Sequence, residues 1–186
     1  MKSEKSLFHE KNIYFGPIDH QKDVKIVSKW THDPIYMRGL VTTPVLPLPK
    51  VRIEKQFEAI EKETENHQRF YFSVHAKADD RLIGFGDIFR ISWANQSGWL
   101  KLGIGDAEDR GQGYGTEILK LLVRYAFDEL SFYRLSAAIS EENTTGLKLF
   151  QKVGFVEEVR QHEGIYHDNQ RWDLIHLGLL QKERQI

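Results

Sequence analysis

Residues 110–116 read RGQGYGT and place three glycines between two segments of different periodicity. Upstream, residues 99–104 (WLKLGI) alternate polar and apolar side chains only loosely, which predicts a strand buried on much of both faces. Downstream, residues 117–127 carry apolar side chains at helical spacing, with charged side chains opposite them. The stretch therefore predicts a strand, a glycine loop and a helix in direct succession.

A glycine loop that opens a helix is suited to binding an anion. The first N–H groups of a helix have no partner within it, and a phosphate can approach closely where side chains are absent. Arg110 adds a positive charge at the mouth of the loop, suited to bidentate contact with phosphate oxygens. The alternative for three glycines taken alone is a tight turn into a core helix.

Two common phosphate-binding motifs are excluded by their spacing. The dinucleotide motif GxGxxG fails from Gly103, where Glu108 takes the last position, and from Gly111, where Thr116 does. A P-loop requires Gly-Lys followed by Ser or Thr, and the chain contains no Gly-Lys pair. The remaining pattern is Arg-x-x-Gly-x-Gly over residues 110–115.

Composition is that of an ordinary globular protein. The 186 residues are 40% hydrophobic and 28% charged, which predicts one domain over residues 1–186 with a core from about 10 to 181. The 26 basic and 27 acidic residues nearly cancel, so we expect no nucleic-acid partner. The absence of cysteine excludes disulfides, thiolate metal sites and a cysteine nucleophile. No apolar stretch resembles a signal peptide or approaches the roughly 20 residues of a membrane span, so we expect a cytoplasmic protein without a membrane partner.

Apolar periodicity and turn residues predict seven strands and four helices. The predicted strands cover residues 12–18, 70–76, 81–91, 99–104, 134–140, 155–160 and 171–180. The predicted helices run from a cap at Asp19 to about residue 33, and over about 51–65, 117–127 and 143–153. Strand, helix, strand successions favour parallel pairing and short turns favour antiparallel pairing, so we expect a mixed sheet. Residues 36–50, with Pro44, Pro47 and Pro49, predict an extended connection that either covers a site or only joins two elements.

The order of these elements, together with two motifs, resembles the GCN5-related N-acetyltransferase (GNAT) superfamily over nearly the whole chain. The first motif is Arg110-x-x-Gly113-x-Gly115, and the second is residues 143–155 (NTTGLKLFQKVGF), which resemble the family's Asn-started helix ending in Gly-Phe. The segment after this motif is most similar to the branch that acetylates ribosomal-protein N-termini and polyamines.

The resemblance implies a single-domain α/β (α+β) fold: a mixed, mostly antiparallel sheet of about seven strands, four helices and a splayed central parallel strand pair. It implies acetyl-coenzyme A as co-substrate and no metal. The residues that it places beside the coenzyme are Gly103, Ile104 and Gly105 on the strand edge, Arg110, Gly111, Gln112, Gly113, Tyr114, Gly115 and Thr116 in the loop, and Asn143, Phe150 and Lys152 on the later helix.

Two residues depart from the family pattern. Phe150 stands where a tyrosine often protonates the departing thiolate, and Leu100 stands where the branch often has a glutamate. Because a thiol has a pKa of about 8.5, thiolate departure without a dedicated acid is feasible near neutral pH.

Acetyl transfer to an amine needs a proton acceptor, because an alkylammonium with a pKa of about 10.4 is not nucleophilic. Asp87, in the middle of a predicted strand, is the first candidate, since an inward aspartate needs a ligand or a buried partner. The alternative is that Asp87 points to solvent, and His75 is a weaker candidate. The His162 and His167 pair suggests a metal only weakly, since no third ligand lies at suitable spacing, and Tyr166 has no assigned role.

The sequence thus predicts an acetyl-coenzyme A-dependent N-acetyltransferase that acts by direct attack of an amine on the thioester. The alternatives are a coenzyme A-binding sensor without activity and, more weakly, a nucleotide-binding module. Residues 37–50 contain no carboxylate to collect a polyamine, which favours a protein N-terminus or small amine as acceptor. The expected assembly is a monomer or a homodimer.

Overall fold

A seven-stranded sheet forms the centre of the computed structural model, which describes residues 6–184. In spatial order the strands are β1-β2-β3-β4-β5-β7-β6. Their bounds are β1 (Ile13–Gly16), β2 (Phe70–Ala76), β3 (Leu82–Ser92), β4 (Ser97–Ile104), β5 (Arg134–Ser140), β6 (Val156–His167) and β7 (Gln170–Leu180). The predicted number and sequence of strands are confirmed, although β6 continues seven residues beyond its predicted end.

The sheet is mixed, as predicted. β4 and β5 are parallel, and the other neighbouring strands pair in the antiparallel sense. The parallel pairing covers only residues 97–99 of β4 against residues 134–136 of β5. From Leu100 to Ile104 β4 continues beside β3 alone, so the two central strands splay apart as expected.

The described residues contain five α-helices, one more than predicted. They are α1 (Asp23–Trp30), α2 (Pro34–Arg38), α3 (Lys50–Glu65), α4 (Tyr114–Arg124) and α5 (Thr144–Val153), and a single π-helical segment, Tyr125–Glu129, continues α4.

The helix missed by the sequence patterns is α2. Asp33 caps it by accepting a hydrogen bond from the Ile35 amide at 2.9 Å, and Pro34 takes its first position, where a missing N–H costs nothing. The prediction that the chain is extended from residue 36 onward is therefore wrong for residues 36–38. Asp19 does not cap α1 directly, because it bonds the amides of Gln21 and Lys22 in the turn before the helix.

Helices cover both faces of the sheet. On one face, α4 and α5 pack against the strands, and α4 contributes Ile118, Leu119 and Leu122 with no exposed surface. On the other face, α1, α2 and α3 form smaller clusters around Trp30, Phe57 and similar side chains. No helix within residues 6–184 is long and apolar enough to cross a membrane. The prediction about an N-terminal targeting segment concerns residues 1–5, which lie outside the described part.

Candidate functional site

The glycine loop lies between the free edge of β4 and the start of α4. Gly111 has φ +78° and Gly113, the residue that caps α4, has φ +90°. This left-handed region favours glycine over any residue with a side chain. A Cβ atom at either position would have no heavy atom within 4 Å, so the space over the loop is open.

The loop presents a row of backbone donors. Within residues 6–184, the amides of Gly111, Gln112, Gly113, Tyr114 and Gly115 have no hydrogen-bond acceptor. The Thr116 amide differs, because it donates to the Gly113 carbonyl at 3.0 Å. Among the loop residues 111–116, which the family resemblance places beside the coenzyme, Thr116 is therefore the one whose amide is already engaged in the described chain. Free N–H groups at a helix N-terminus are suited to binding an anion.

Gly115 serves a different purpose from Gly111 and Gly113. Its φ is not positive, and a Cβ there would lie 3.2 Å from Leu149 Cδ2 of α5. The missing side chain therefore lets α4 and α5 approach each other closely.

Arg110 does not present its guanidinium at the mouth of the loop as predicted. Its Nη2 donates to Asp33 Oδ2 at 2.7 Å and to the Gly105 carbonyl, and its Nε donates to the Ile104 carbonyl at 3.2 Å. These contacts tie the loop to the end of β4 and to the cap of α2. The side chain therefore positions the loop, and its Nε and Nη2 groups donate to protein acceptors.

Only alternate residues of β4 turn their backbone groups toward its open edge. The Gly105 N–H donates to the Ile83 carbonyl of β3 at 3.0 Å, and the register pairs Gly103 with Phe85. Since backbone groups alternate sides along a strand, Gly103 and Gly105 face β3, and Leu102 and Ile104 face the opening. Of the three strand residues predicted to pair with a ligand, only Ile104 turns its backbone groups toward it.

α5 supplies the second predicted motif. Asn143 Oδ1 accepts from the Gly146 amide at 2.9 Å and so caps the helix, as predicted. Phe150 is only 5% exposed and packs against Phe155 with ring centroids 5.0 Å apart. Lys152 is exposed on the same helix. Phe150 is thus a core residue. Leu100, the other residue that departs from the family pattern, is also buried in the main core.

Asp87 is fully buried, and the alternative that it points to solvent is wrong. Arg69 Nε donates to Oδ1 at 2.9 Å and Arg69 Nη2 donates to Oδ2 at 2.6 Å. Burial raises the pKa of the Asp87 carboxyl, and Arg69 opposes this effect. Both oxygens are engaged by the half-buried Arg69, so the contacts give Asp87 a structural role and do not support it as the base.

The other predicted candidates are dispersed. His75 lies on β2, with its ring stacked on Tyr14 at a centroid distance of 5.1 Å, and β3 separates it from the splayed pair. His162 is highly exposed and contacts Asp173 at 3.3 Å. Tyr166 is 62% exposed and lies 3.3 Å from Asn169 Oδ1. His162 and His167 contact different carboxylates, and no three His, Asp or Glu side chains of the described chain are arranged to hold a metal ion.

A cleft of about 290 Å³ lies where β5 ends. Residues 38–45, which follow α2, form one wall, and residues 138–140, 165–167 and Leu174 form the other. The expectation that the proline-rich connection and the last hairpin wall one site is consistent with this arrangement. Asn143 lines the same cleft, which places the start of α5 beside it.

No carboxylate lines this cleft among the residues that the structure describes. Arg38 donates from Nη2 to Asp168 Oδ1 at 2.7 Å and contacts Oδ2 at the same distance, which joins α2 to the hairpin turn. His167 Nε2 lies 3.1 Å from Glu142 Oε1. Sequence patterns did not single out Arg38 or Ser140, and they considered His167 only as a weak metal ligand.

Comparison with known proteins identifies the family. Residues 13–156 match the family described as "Acetyltransferase (GNAT) domain". The probable N-acetyltransferase YjcK of Bacillus subtilis is 33% identical over 125 residues, or 64% of this chain and 66% of YjcK. The putative ribosomal N-acetyltransferase YdaF of the same organism is 27% identical over 105 residues, or 56% of this chain and 57% of YdaF. The matched part of the chain thus spans 66% of YjcK and 57% of YdaF, less than two thirds of each.

The fold comparison agrees. Spermidine N-acetyltransferase from Vibrio cholerae, solved in complex with CoA and spermine, superposes with a TM-score of 0.80 at 17% identity. The superposition covers 94% of this chain and 98% of that one. At this identity the likeness establishes the fold. Together with the family match over residues 13–156, it shows that the chain belongs to the GNAT acetyltransferase family.

Proposed function

We propose that the protein is an acetyl-coenzyme A-dependent N-acetyltransferase that moves the acetyl group directly from the thioester to a primary amine. The observation that carries this proposal is the position of five free amides, from Gly111 to Gly115, directly beyond the open edge of β4. Amides at a helix start suit a pyrophosphate, and an open strand edge suits an amide-containing arm.

Different groups of the chain bind different parts of acetyl-coenzyme A. The loop amides hold the pyrophosphate, and the backbone of Ile104 and its neighbour Leu102 orients the arm at the splayed pair. Asn143 lies where that opening meets the cleft. The amine then enters through the cleft, so the two substrates meet at the end of β5.

Direct transfer agrees with the side chains present. The chain has no cysteine that could carry an acetyl group. Phe150 cannot donate a proton, and a thiolate with a pKa of about 8.5 can leave near neutral pH without a dedicated acid.

The acceptor that we propose is a protein N-terminus or a small amine with one positive charge. No carboxylate lines the cleft in the described chain, and the one charged arginine that lines it, Arg38, is paired with Asp168. A polyamine would bring several positive charges into this cleft without compensation. The names of the relatives include both a ribosomal N-acetyltransferase and a spermidine N(1)-acetyltransferase, so the acceptor is the point that needs the experiment.

The test is thioester turnover with a panel of amines at one coenzyme concentration. The panel contains a small monoamine, a peptide with a free N-terminus and spermidine. We expect acetylated monoamine or peptide, and a lower kcat/KM for spermidine. Tight coenzyme A binding without turnover of any amine would instead indicate a coenzyme A sensor.

A further inference from the structure

Two residues that line the cleft each carry a buried polar atom without a hydrogen-bond partner in the described chain. The atoms are Ser140 Oγ, at the end of β5, and His167 Nδ1, at the end of β6, and both residues line the same cleft. Buried polar atoms nearly always have partners, and leaving one unsatisfied costs about 1–3 kcal/mol. Two such atoms in one cleft indicate the place of a polar ligand group.

The Glu142 contact favours one tautomer of His167. Glu142 Oε1 lies 3.1 Å from Nε2, and because a carboxylate only accepts hydrogen bonds, this contact favours a hydrogen on Nε2. In the neutral ring Nδ1 then has a free lone pair. This is the state in which a histidine can accept a proton.

The charges around the ring favour a change of protonation during the reaction. Asp168 Oδ2 lies 3.4 Å from Nδ1, but both Asp168 oxygens are paired with Arg38. Arg38 therefore balances Asp168, and His167 need not be protonated at rest. Once Nδ1 takes a proton, the Glu142 carboxylate beside Nε2 stabilises the imidazolium. The ring is also stacked on Trp172, with centroids 6.0 Å apart, so its orientation is fixed.

We infer that His167 is the general base for the acceptor amine, that Ser140 Oγ accepts a second N–H of the same amine, and that Glu142 positions the ring. This inference rests on the proposed function. An ammonium N–H passes its proton to Nδ1, and the nitrogen lone pair attacks the thioester carbonyl. The C–N bond forms as the C–S bond breaks, and a second proton from nitrogen reaches the departing sulfur through water. Nδ1 is buried, so the inference requires that groups around it shift when the amine binds.

The direct test is His167→Gln, assayed for kcat/KM of the amine across pH. General base catalysis contributes about 10²–10⁴-fold, so we expect a loss of at least about a hundredfold near neutral pH. The loss should shrink at high pH, where the amine loses its proton unaided. Coenzyme A affinity and Tm should stay at wild-type values. The matched control is His162→Gln on the same strand, whose side chain is 80% exposed and outside the cleft, and it should behave as wild type.

Glu142→Gln provides a second variant if His167→Gln is unstable. Glu142→Gln replaces the carboxylate that contacts Nε2, so kcat/KM for the amine should fall. A purely structural role for the ring would lower Tm and leave the shape of the profile unchanged. If wild type acetylates an amine and His167→Gln keeps its rate and pH profile, the base assignment is wrong. If wild type acetylates no amine, the proposed function itself fails.

Discussion

Gly105, where β4 ends and the glycine loop begins, is predicted to tolerate no side chain. A Cβ there would lie 1.8 Å from Trp30 Cε2 and 2.0 Å from Trp30 Cδ2, whereas packed carbons stay about 3.5–4.0 Å apart. Trp30 is 3% exposed and also packs on Tyr36, so the indole cannot move into solvent. Gly105→Ala therefore forces the end of β4 away from α1.

The magnitude follows from the depth of this overlap. Overpacking a core costs about 1–3 kcal/mol, occasionally more, and an overlap with a rigid ring belongs at the upper end, about 3 kcal/mol. A chain of this size loses about 2–4 °C in Tm per kcal/mol, so we expect a drop of about 6–12 °C. Because the Gly105 carbonyl accepts from Arg110, the displacement should also weaken coenzyme A binding.

Thermal unfolding and calorimetric titration with coenzyme A measure both effects. Gly16→Ala is the matched control, because its added carbon would meet the His75 ring at an ordinary 3.4 Å. Combining Gly105→Ala with Trp30→Leu should cost less than the sum of the two changes, with a coupling of about 0.5–3 kcal/mol. A Gly105→Ala protein with wild-type Tm would refute the reasoning.

Two further predictions concern buried side chains. Arg69→Met should lower the free energy of unfolding near neutral pH by about 3–5 kcal/mol, because it leaves the Asp87 carboxylate buried without its partner. Without Arg69, the pKa of the buried Asp87 carboxyl is raised further above its value in the unfolded chain. The lost stability should therefore return as pH falls through that pKa and Asp87 becomes neutral. Urea titrations that show the same loss at every pH would contradict this. Phe150→Tyr should raise kcat by less than tenfold, equivalent to about 1.4 kcal/mol of barrier, because Phe150 is a core residue packed on Phe155; a larger increase would show that thiolate protonation is limiting.

Features with a local sequence signal could be predicted. The glycine loop, α4 and the cap of α5 each depend on neighbouring residues: open space and positive φ at Gly113, helical periodicity after it, and an Asn143 side chain that reaches Gly146. The splayed pair was expected from family resemblance alone. The sequence patterns do not predict α2, because five residues are too few to show a helical period and Asp33-Pro34 also fits the end of the preceding helix.

Contacts between distant residues could not be predicted. The partner of Asp87 is Arg69, and their pairing depends on the register of β2 against β3. Ser140 and His167 share a cleft because β7 pairs with both β5 and β6, which no local pattern specifies. The charge of Arg110 predicts a phosphate contact, but in the fold its side chain donates to Asp33 and to the backbone carbonyls of Ile104 and Gly105.

Coenzyme A binding by Gly113→Val, measured by calorimetry, tests most directly the claim that the loop is the pyrophosphate site. A branched side chain at φ +90° is disfavoured by the backbone and would occupy the open space over the free amides. The control is Gly164→Val in the β6–β7 hairpin, where the nearest atoms belong to the flexible Gln161 side chain. The account predicts that a folded Gly113→Val protein shows no coenzyme A binding while Gly164→Val binds as wild type; wild-type affinity in a folded Gly113→Val protein would contradict it.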